Sequence, residues 1–321
     1  MKLVVQLPAL NEEATITQVL NDIPKHILGI TEIVKLVVDD GSTDRTAELA
    51  SASGAFVISH ERTRGVGAAF KSGIERVRDL DADIVVTIDS DGQFDPKDIA
   101  TVIQPIIDGH ADFTTASRFK DAELVPDMPK SKLWGNNFIA RWVSGLIGKK
   151  FHDVSCGFRA YGRDAYLRLV LMGEFTYTHE TFLCLAFARL RMQEVPVRVQ
   201  GVRSHGESRV ASNLFKYGWR TANIIWRAYR DYKPLRFFGF LALCSAGLGI
   251  CFGLFLLYWK FKTGGFFPHR WAGFTCGFFL FVGLTLFIVG VLAEMLDRIR
   301  FINEEALYRV RRMEQDQKRG R

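Results

Sequence analysis

The chain has 321 residues, of which 48% are hydrophobic, and a formal net charge of +7. This length can bury a sizeable core and fits one large or two ordinary domains. Its five cysteines show neither metal-site spacing nor a C-x-x-C pair, and they indicate a reducing compartment. Carboxylate clusters lie before residue 100, whereas Lys and Arg collect after about residue 200, so we expect anionic partners for the C-terminal part.

Short apolar runs alternate with helical patterns from the N-terminus onward, which itself lacks the features of a signal peptide. The runs predicted to be strands are LVVQLPA, IVKLVVDDG, AFVISHE, IVVTIDSD and DFTTASRF. Helices are predicted to begin near Glu12, after the cluster at 42–44, after the glycines of RTRGVGAAFKSG and after Pro96. This alternation predicts an α/β fold with a mostly parallel sheet, covered on both faces, whose binding groups lie at the carboxyl ends of the strands.

Carboxylates follow the fourth of these runs, in the stretch TIDSDGQFDP. Asp89 and Asp91 are two residues apart where the strand ends and can both reach one cation, and Gln93 can add an amide oxygen. Hard oxygen ligands of this kind suit Mg²⁺ or Mn²⁺, which bind one or two carboxylates together with substrate phosphates. A solvated Asx turn is the alternative, because a D-x-D pair taken alone is common on protein surfaces.

Further polar residues end the first two runs, at the same predicted edge. The stretch PALNEE contributes Pro8, Asn11 and Glu12, and VVDDGSTD contributes Asp39 and Asp40. An acidic side chain in this place can accept hydrogen bonds from a ribose or from a base N–H. The next loop, HERTRGVGAAFKSG, puts cations and two glycines before a helix, which suits either phosphate approach or an ordinary helix start. The order of these parts along the chain is more informative than any one of them.

Two uncharged apolar runs mark the C-terminal part. Residues 237–259 and 272–293 are each long enough to cross about 30 Å of hydrocarbon as a helix, and a pair of buried core helices is the alternative. A connector of about a dozen residues makes the two runs a hairpin. Because both flanks are basic, the positive-inside rule predicts that the flanks and the N-terminal domain are cytoplasmic.

An amphipathic helix is predicted just upstream of the hairpin, across residues 211–234. Its aromatic face would comprise Phe215, Trp219, Ala222, Trp226 and Tyr229, beside a row of cations. Such a helix suits the membrane interface, and packing on the domain itself is the alternative. Beyond the hairpin, residues 298–321 are predicted to form a basic cytoplasmic tail, and we expect the part after Glu304 to be a solvated extension.

Seven stretches resemble, in order, the family 2 glycosyltransferases, in particular the polyprenyl-phosphate sugar transferases of the dolichyl-phosphate mannose synthase type. They are PALNEE, VVDDGSTD, RGVGAAFKSG, DSDGQFDP, ASRF, DVSCGFRAY and RSHGESR. The resemblance covers about residues 1–210, and the two apolar runs match one branch of the group. It implies a glycosyltransferase A-type (Rossmann-like) catalytic domain, a UDP- or GDP-sugar donor, Mg²⁺ or Mn²⁺, and a polyprenyl phosphate acceptor such as undecaprenyl or dolichyl phosphate.

The resemblance also implies roles for single residues. Asp89 and Asp91, with Gln93, would hold the metal and the donor diphosphate, and Asp153 would lie near the reacting centre as a further catalytic residue. The residues implied for the nucleotide sugar are Pro8, Asn11, Glu12, Asp39, Asp40, Arg203 and Ser208. Those implied for the lipid phosphate are Arg118, Lys130 and Lys132. Glu180 is left open between a structural and a functional role, and the motif reads Asp-Ser-Asp where relatives often have Asp-Ala-Asp.

The resemblance implies inverting transfer of a sugar to polyprenyl phosphate, and the basic flanks of the hairpin place this reaction at the cytoplasmic face of a cell membrane or endomembrane. A phosphate monoester needs no strong base, because its second pKa of about 6 leaves it mostly dianionic, so Asp153 is expected to orient rather than to deprotonate. We expect nucleotide sugar, polyprenyl phosphate and membrane lipids as partners, and no nucleic acid; a homo-oligomer stays open. The alternatives are a processive polysaccharide synthase, which should show Q-x-x-R-W and more apolar helices, and a catalytically silent membrane-tethered nucleotide-binding module.

Overall fold

A computed structural model of the chain describes residues 1–126, 128, 130–170, 177–199, 222–223, 226–227 and 229–320. The chain divides into two compact units. The first comprises Met1–Ile225 together with Glu305–Arg321, and the second comprises Trp226–Glu304.

The first unit contains a seven-stranded sheet and seven α-helices within its described residues up to 199. The strands are β1 (Lys2–Ala9), β2 (Glu32–Asp39), β3 (Phe56–Ser59), β4 (Ile84–Thr87), β5 (Phe113–Ser117), β6 (Arg159–Gly162) and β7 (Met192–Pro196). The helices are α1 (Ile16–Asp22), α2 (Thr46–Ala52), α3 (Val66–Asp79), α4 (Ile99–Ile107), α5 (Lys130–Ile147), α6 (Arg163–Arg168) and α7 (Thr178–Phe187).

The sheet has the strand order β3-β2-β1-β4-β6-β5-β7 and is parallel except for β6. This confirms the predicted α/β fold with a mostly parallel sheet. Strand β6 runs antiparallel to both β4 and β5. The chain that leads into β6 therefore arrives at the edge where β1, β2, β4 and β5 end, which we call the carboxyl edge.

The centre of the sheet is buried on both faces, because β1 and β4 are runs of branched apolar residues that helices cover on either side. Gln6 is a buried polar residue within β1, and its Nε2 donates to the carbonyl of Phe70 at 3.0 Å. This contact needs glycine on α3, since a Cβ at Gly73 would lie 2.2 Å from Gln6 Nε2. The close approach holds α3 against β1, and α3 begins at the carboxyl edge.

The second unit contains two helices long and apolar enough to cross a membrane. They are α8 (Pro234–Thr263) and α9 (Arg270–Arg319), which extends past this unit. Only 17% and 11% of their most apolar stretches are buried, whereas a core helix of a soluble protein would be mostly buried. In the region of the predicted amphipathic helix, positions 222–223, 226–227 and 229–232 are helical, while Phe215 and Trp219 lie outside the described residues.

The end of α9, residues 305–319, packs against the sheet domain, which corrects the expectation of a solvated tail. Gln315 is only 2% exposed. Its Nε2 donates to Tyr166 Oη at 2.9 Å and to the carbonyl of Arg78 at 3.3 Å, and its Oε1 accepts from Arg163 Nε at 2.9 Å. The polar sequence of the tail therefore contains one buried side chain, Gln315, whose amide N–H and C=O groups are both hydrogen-bonded to the sheet domain.

The tail cations meet acidic side chains near the start of β4. Arg319 donates to Asp81 at 2.7 Å and to Asp83 at 2.6 Å, and Lys318 lies 3.5 Å from Asp79. A run of Arg and Lys was expected to stay in water, but complementary carboxylates from a distant part of the sequence bind it. Such partners cannot be recognised from the tail alone.

Candidate active site

The acidic loop after β4 is fixed to the end of β1. Asp91 is 2% exposed and Asp89 is half-buried. Between them, Ser90 donates from Oγ to the carbonyl of Pro8 at 2.9 Å, and its own carbonyl accepts from Thr15 Oγ1 at 2.7 Å. The serine of the Asp-Ser-Asp motif thus ties two strand ends together and holds both carboxylates in place.

A second loop, which leads into β6, closes over Asp89. A Cβ at Gly157 would lie 2.9 Å from Asp89 Oδ2 and 3.0 Å from Oδ1, so only glycine leaves room for the carboxylate here. Tyr177 donates from its hydroxyl to the carbonyl of Gly157 at 3.3 Å and stacks on Phe70 with ring centroids 4.0 Å apart. Burial, together with the charge of Asp89, raises the pKa of Tyr177 well above its ordinary value, so this hydroxyl stays protonated.

The donor set at this loop fits a divalent cation that is shared with a substrate. Asp89 and Asp91 offer carboxylate oxygens, and Gln93 is placed beside them by its backbone N–H, which donates to Asp91 Oδ1 at 3.0 Å. Among the described residues, no group of three or more His, Cys, Asp or Glu side chains could hold a metal. Mg²⁺ and Mn²⁺ bind hard oxygen ligands, typically one or two carboxylates together with substrate phosphates. The recess left by the missing side chain of Gly157 accommodates the Asp89 carboxylate.

Asp40, at the end of β2, organises the loop before α3. Asp40 is 3% exposed. It accepts from the backbone N–H of Arg64 at 2.9 Å and of Gly65 at 2.7 Å, and from His60 Nδ1 at 2.7 Å. His60 Nε2 in turn lies 2.9 Å from Ser72 Oγ. Sequence reasoning missed His60, because a single histidine in a loop carries no recognisable spacing.

The predicted nucleotide residues at the ends of β1 and β2 are hydrogen-bonded into one unit. Asn11 has a positive φ of 50°, which Asn tolerates better than most residues. Its N–H donates to Ser42 Oγ, and its Oδ1 accepts from Thr43 N–H, both at 2.8 Å. Asp39 Oδ1 accepts from Ser42 N–H at 3.0 Å. The structure thus brings Asn11, Glu12, Asp39 and Pro8 to the carboxyl edge, as the sequence predicted.

Arg118, directly after β5, forms a two-pronged ion pair with Asp153. The Nε–Oδ2 distance is 2.6 Å and the Nη2–Oδ1 distance is 3.0 Å. Asp153 is fully buried, whereas 23% of the Arg118 side chain is exposed. Burial alone would raise the pKa of Asp153, but the charge and hydrogen bonds of Arg118 and the N–H of Ser155 keep it below the ordinary value. Asp153 is therefore ionised at neutral pH and fixes the plane of the guanidinium.

Glu194 on β7 positions the backbone that carries Asp153. Its Oε1 accepts from the N–H groups of His152 at 2.7 Å and Asp153 at 2.8 Å, and its Oε2 lies 2.8 Å from His152 Nδ1. Glu194 is 6% exposed. Neither β7 nor Glu194 was predicted from the sequence, because MQEVP has too little apolar character to be recognised as a strand.

Most of the remaining predicted site residues lie wholly or partly outside the described part of the chain. Lys130 and Lys132 belong to the first turn of α5, and their side chains lie outside the described part of the chain. Arg203 and Ser208 lie wholly outside it. Glu180 is half-buried in the first turn of α7.

The chain is similar in sequence to known glycosyltransferases. A model of glycosyl transferase family 2 matches residues 4–169. The chain is 31% identical over 213 residues to the UDP-N-acetylglucosamine–dolichyl-phosphate N-acetylglucosaminyltransferase of Methanococcus voltae, with 60% of this chain and 83% of that protein covered. It is 28% identical over 310 residues to the undecaprenyl-phosphate 4-deoxy-4-formamido-L-arabinose transferase of Pseudomonas aeruginosa, with 92% and 85% covered.

A solved structure shows the same fold. Glucosyl-3-phosphoglycerate synthase from Mycobacterium tuberculosis, crystallised with Mn²⁺, UDP-glucose and phosphoglyceric acid, has a TM-score of 0.56 and 25% identity, with 71% of this chain and 79% of that chain covered. The alignment with the Pseudomonas protein covers 92% of this chain, so it extends into the apolar helices α8 and α9.

Proposed function

Because the chain belongs to glycosyl transferase family 2, we propose that this glycosyltransferase moves a sugar, with inversion, from a UDP- or GDP-linked donor to a polyprenyl phosphate. The observation that carries the proposal is the placement of Arg118, a cation held by the buried Asp153, at the strand edge that also bears Asp89 and Asp91. A carboxylate pair and a fixed guanidinium suit two phosphate-bearing substrates. The relatives that act on dolichyl and undecaprenyl phosphate support a lipid acceptor.

On the donor side, Asp89 and Asp91, with Gln93, would hold Mg²⁺ or Mn²⁺. When bound, such an ion stabilises the charge that develops on the leaving diphosphate. The chain keeps the two carboxylates in position through the Ser90 contacts and the recess at Gly157. We assign the nucleoside to the ends of β1 and β2, through Pro8, Asn11, Glu12, Asp39 and Asp40. Arg203 and Ser208 remain proposals for the donor diphosphate.

On the acceptor side, Arg118 would bind the lipid phosphate, with Lys130 and Lys132 following in the chain. A guanidinium recognises phosphate through two parallel N–H donors, and Asp153 presets its orientation, so less conformational freedom is lost on binding. A phosphate monoester with a second pKa of about 6 is already mostly dianionic at neutral pH. Asp153 is ionised, paired and buried, which supports an orienting role rather than that of a base.

The apolar helices supply access to a lipid substrate. We propose that α8 and α9 span a membrane as a hairpin with both termini in the cytoplasm, because both flanks of the hairpin are basic. A polyprenol cannot leave the bilayer, whereas its phosphate can reach the surface. A catalytic domain tethered to the membrane therefore meets its acceptor without extracting it.

The proposal is tested by incubating the purified full-length chain with polyprenyl phosphate, Mg²⁺ or Mn²⁺ and a panel of labelled nucleotide sugars. One of them should give a labelled lipid-linked sugar, and Asp89→Asn should abolish its formation while the circular dichroism spectrum stays unchanged. Asp95→Asn is the matched control, because Asp95 is exposed in the same loop and caps the turn Pro96–Asp98. No labelled lipid from any donor, or full activity of Asp89→Asn, would overturn the proposal.

A further inference from the structure

The carboxylate of Asp40 has few acceptor positions left for a ligand. Its Oδ1 accepts from His60 Nδ1 at 2.7 Å and from the N–H of Arg64 at 2.9 Å, and its Oδ2 accepts from the N–H of Gly65 at 2.7 Å. A carboxylate offers about four lone-pair sites, two on each oxygen. Among the described residues these three donors fill Oδ1 and half of Oδ2, so about one acceptor position is left, on Oδ2.

The loop 62–65, which carries the two backbone donors, is held in place by a close approach to Gly41. A Cβ at Gly41 would lie 2.8 Å from both the carbonyl carbon of Arg62 and the nitrogen of Thr63. Gly41 also has a φ of 78°, a conformation that glycine adopts without strain. The backbone N–H groups could turn away from Asp40 only if the whole loop moved, so the remaining acceptor position has a fixed direction.

His60 is held from its other side by helix α3. Its Nε2 lies 2.9 Å from Ser72 Oγ, and only 7% of its side chain is exposed. With Nδ1 donating to Asp40, the neutral imidazole accepts at Nε2 from the Ser72 hydroxyl. The same three residue types form the triad of serine hydrolases, but Ser72 lies within the regular helix α3 rather than at an exposed turn. We therefore assign His60 a positioning role.

The number of open acceptor positions limits which base Asp40 can bind. Bases held outside a duplex are recognised by hydrogen bonds to their Watson–Crick edge. On guanine this edge carries two adjacent donors, N1–H and the N2 amino group, and a carboxylate binds both by using one oxygen for each. On uracil it carries a single donor, N3–H, between two carbonyl groups. Because Oδ1 of Asp40 already accepts twice, this carboxylate can accept one N–H from a base but not the pair of guanine.

We propose that Asp40, with His60 as its positioning residue, selects uracil over guanine, so that the donor is a UDP-sugar. This inference rests on the proposed function, which assigns Asp40 to the nucleoside, and it narrows the donor class given there. A guanine bound in this place would keep one N–H group without a partner, and an unpaired buried donor costs more than a typical hydrogen bond contributes. The contacts that fill Asp40 Oδ1 therefore act against the wrong base, while Oδ2 binds the right one.

The direct test is calorimetric titration of the full-length chain, in detergent with Mn²⁺, with a set of nucleotides. UDP should bind roughly 10- to 100-fold more tightly than GDP, and 3-methyl-UDP, which lacks the N3 hydrogen, should lose a similar factor. The control for size is 5-methyl-UDP, which carries an equal methyl group and keeps N3–H, and it should bind like UDP.

The outcomes of this titration separate the inference from the proposed function. If GDP bound as tightly as UDP, or if both methylated nucleotides were weakened equally, the base would have to be bound by another acceptor such as Asp39, and the inference would be overturned. Binding of neither UDP nor GDP would contradict the nucleotide-sugar donor of the proposed function, and the inference with it.

Substitutions of His60 test its positioning role. His60→Ala opens an acceptor position on Asp40 Oδ1, so the preference for UDP over GDP should shrink roughly 10-fold. His60→Asn, whose amide Nδ2 can take the place of the imidazole Nδ1, should recover most of the preference. His26→Ala, at an exposed position, is the matched control. Equal losses for UDP and GDP, without recovery in His60→Asn, would overturn the positioning role. Because the nucleotide series uses wild type, it stands even if His60→Ala does not fold.

Discussion

The ion pair between Arg118 and Asp153 makes each side chain depend on the other. Arg118→Ala should remove the proposed charge-assisted contact with the lipid phosphate, worth about 1.5 to 3 kcal/mol, and so weaken polyprenyl phosphate use about 10- to 150-fold. Affinity for the nucleotide sugar should barely change. Lys should recover only part of the loss, because an ammonium cannot make the two-pronged contact. Titrating polyprenyl phosphate and nucleotide sugar separately tests both expectations.

The same substitution has a structural cost that needs a control. It leaves a fully buried carboxylate unpaired, which costs about 3 to 5 kcal/mol for a wholly buried pair and less here, because Arg118 is partly exposed. The double variant Arg118→Ala/Asp153→Asn removes this charge. It should recover stability and not lipid use. If Arg118→Ala instead lowered the affinity for the nucleotide sugar and left polyprenyl phosphate use unchanged, Arg118 would have to be assigned to the donor phosphate rather than to the acceptor phosphate.

Adding one methyl group at Gly157 should weaken the binding of the proposed metal ion. Because a Cβ there would lie 2.9 Å from Asp89 Oδ2, Gly157→Ala should displace the carboxylate and raise the Mn²⁺ concentration needed for half-maximal binding, roughly 10-fold for each 1.4 kcal/mol lost. Mn²⁺ binding can be followed by electron paramagnetic resonance. Gly145→Ala is the control, since a Cβ at Gly145 meets nothing within 4 Å. Equal Mn²⁺ affinity in both variants would show that Asp89 is not a ligand.

His179 should make stability depend on pH. It is fully buried, and burial with the charge of Arg159 lowers its pKa from 6.5 to about 3. Between these values the unfolded chain binds a proton that the folded chain does not, so stability should fall as the pH falls below about 6.5, by up to roughly 1.4 kcal/mol per pH unit.

A comparison of two histidines checks this dependence. His179→Gln cannot take up the proton and should lose less stability than wild type between about pH 7 and about pH 5, as measured by thermal unfolding in detergent. His26→Gln, at an exposed position, should follow wild type. Parallel losses in all three proteins would mean that His179 can be protonated in the folded state.

At the scale of elements, the docked end of α9 should contribute measurably to stability. Gln315→Ala leaves Tyr166 Oη, Arg163 Nε and the carbonyl of Arg78 without a shared partner, and the loss of buried hydrogen bonds costs about 1 to 3 kcal/mol. Gln317→Ala, an exposed position in the same turn, should cost almost nothing. The difference in unfolding midpoint between the two variants measures the docking, and equal midpoints would mean that the tail is effectively solvated.

The strands that could be predicted from the sequence are those whose buried residues form a visible apolar run. Strands β1 to β5 were recognised because their apolar runs end in polar loops, although β4 ends at Thr87, one residue before the predicted Ile88. Strand β6, RAYG, was missed because the fully buried Arg159 makes it look polar. That guanidinium is accommodated by four contacts, to the carbonyls of residues 154, 156 and 178 and to Thr181 Oγ1, which no local pattern reveals.

The candidate site likewise contains residues that could be predicted from the sequence and residues that could not. Side chains that directly follow a parallel strand, such as Asp89 and Arg118, were predictable, because strand ends meet at one edge. The supporting contacts from His60, Gly157, Tyr177 and Glu194 were not, since each depends on a fold-level approach between distant segments. Sequence therefore predicted the groups proposed for the chemistry, and the structure adds what holds them in place.

At the scale of the whole molecule, both termini should lie in the cytoplasm if α8 and α9 form a membrane hairpin. The basic flanks of both helices should keep them there, since translocating Lys and Arg is unfavourable. Reporters active only in the cytoplasm, fused to either end of the full-length chain, check this. A fusion in the connector 264–269 is the control and should give the opposite result. A C-terminal reporter on the far side would rule out the hairpin.

The order of the strands has a consequence for how such enzymes diversify. The neighbours β3, β2, β1 and β4 come from residues 2–87, and β6, β5 and β7 come from residues 113–196. The proposed nucleoside and metal residues thus belong to one continuous stretch, and the Arg118–Asp153 pair belongs to the next. A single genetic crossover in the turn after α4, at residues 108–112, would exchange one half intact. If the proposed assignments hold, nucleoside and acceptor preferences belong to separate halves of the catalytic domain, and laboratory chimeras that exchange only one of them should be joined within residues 108–112.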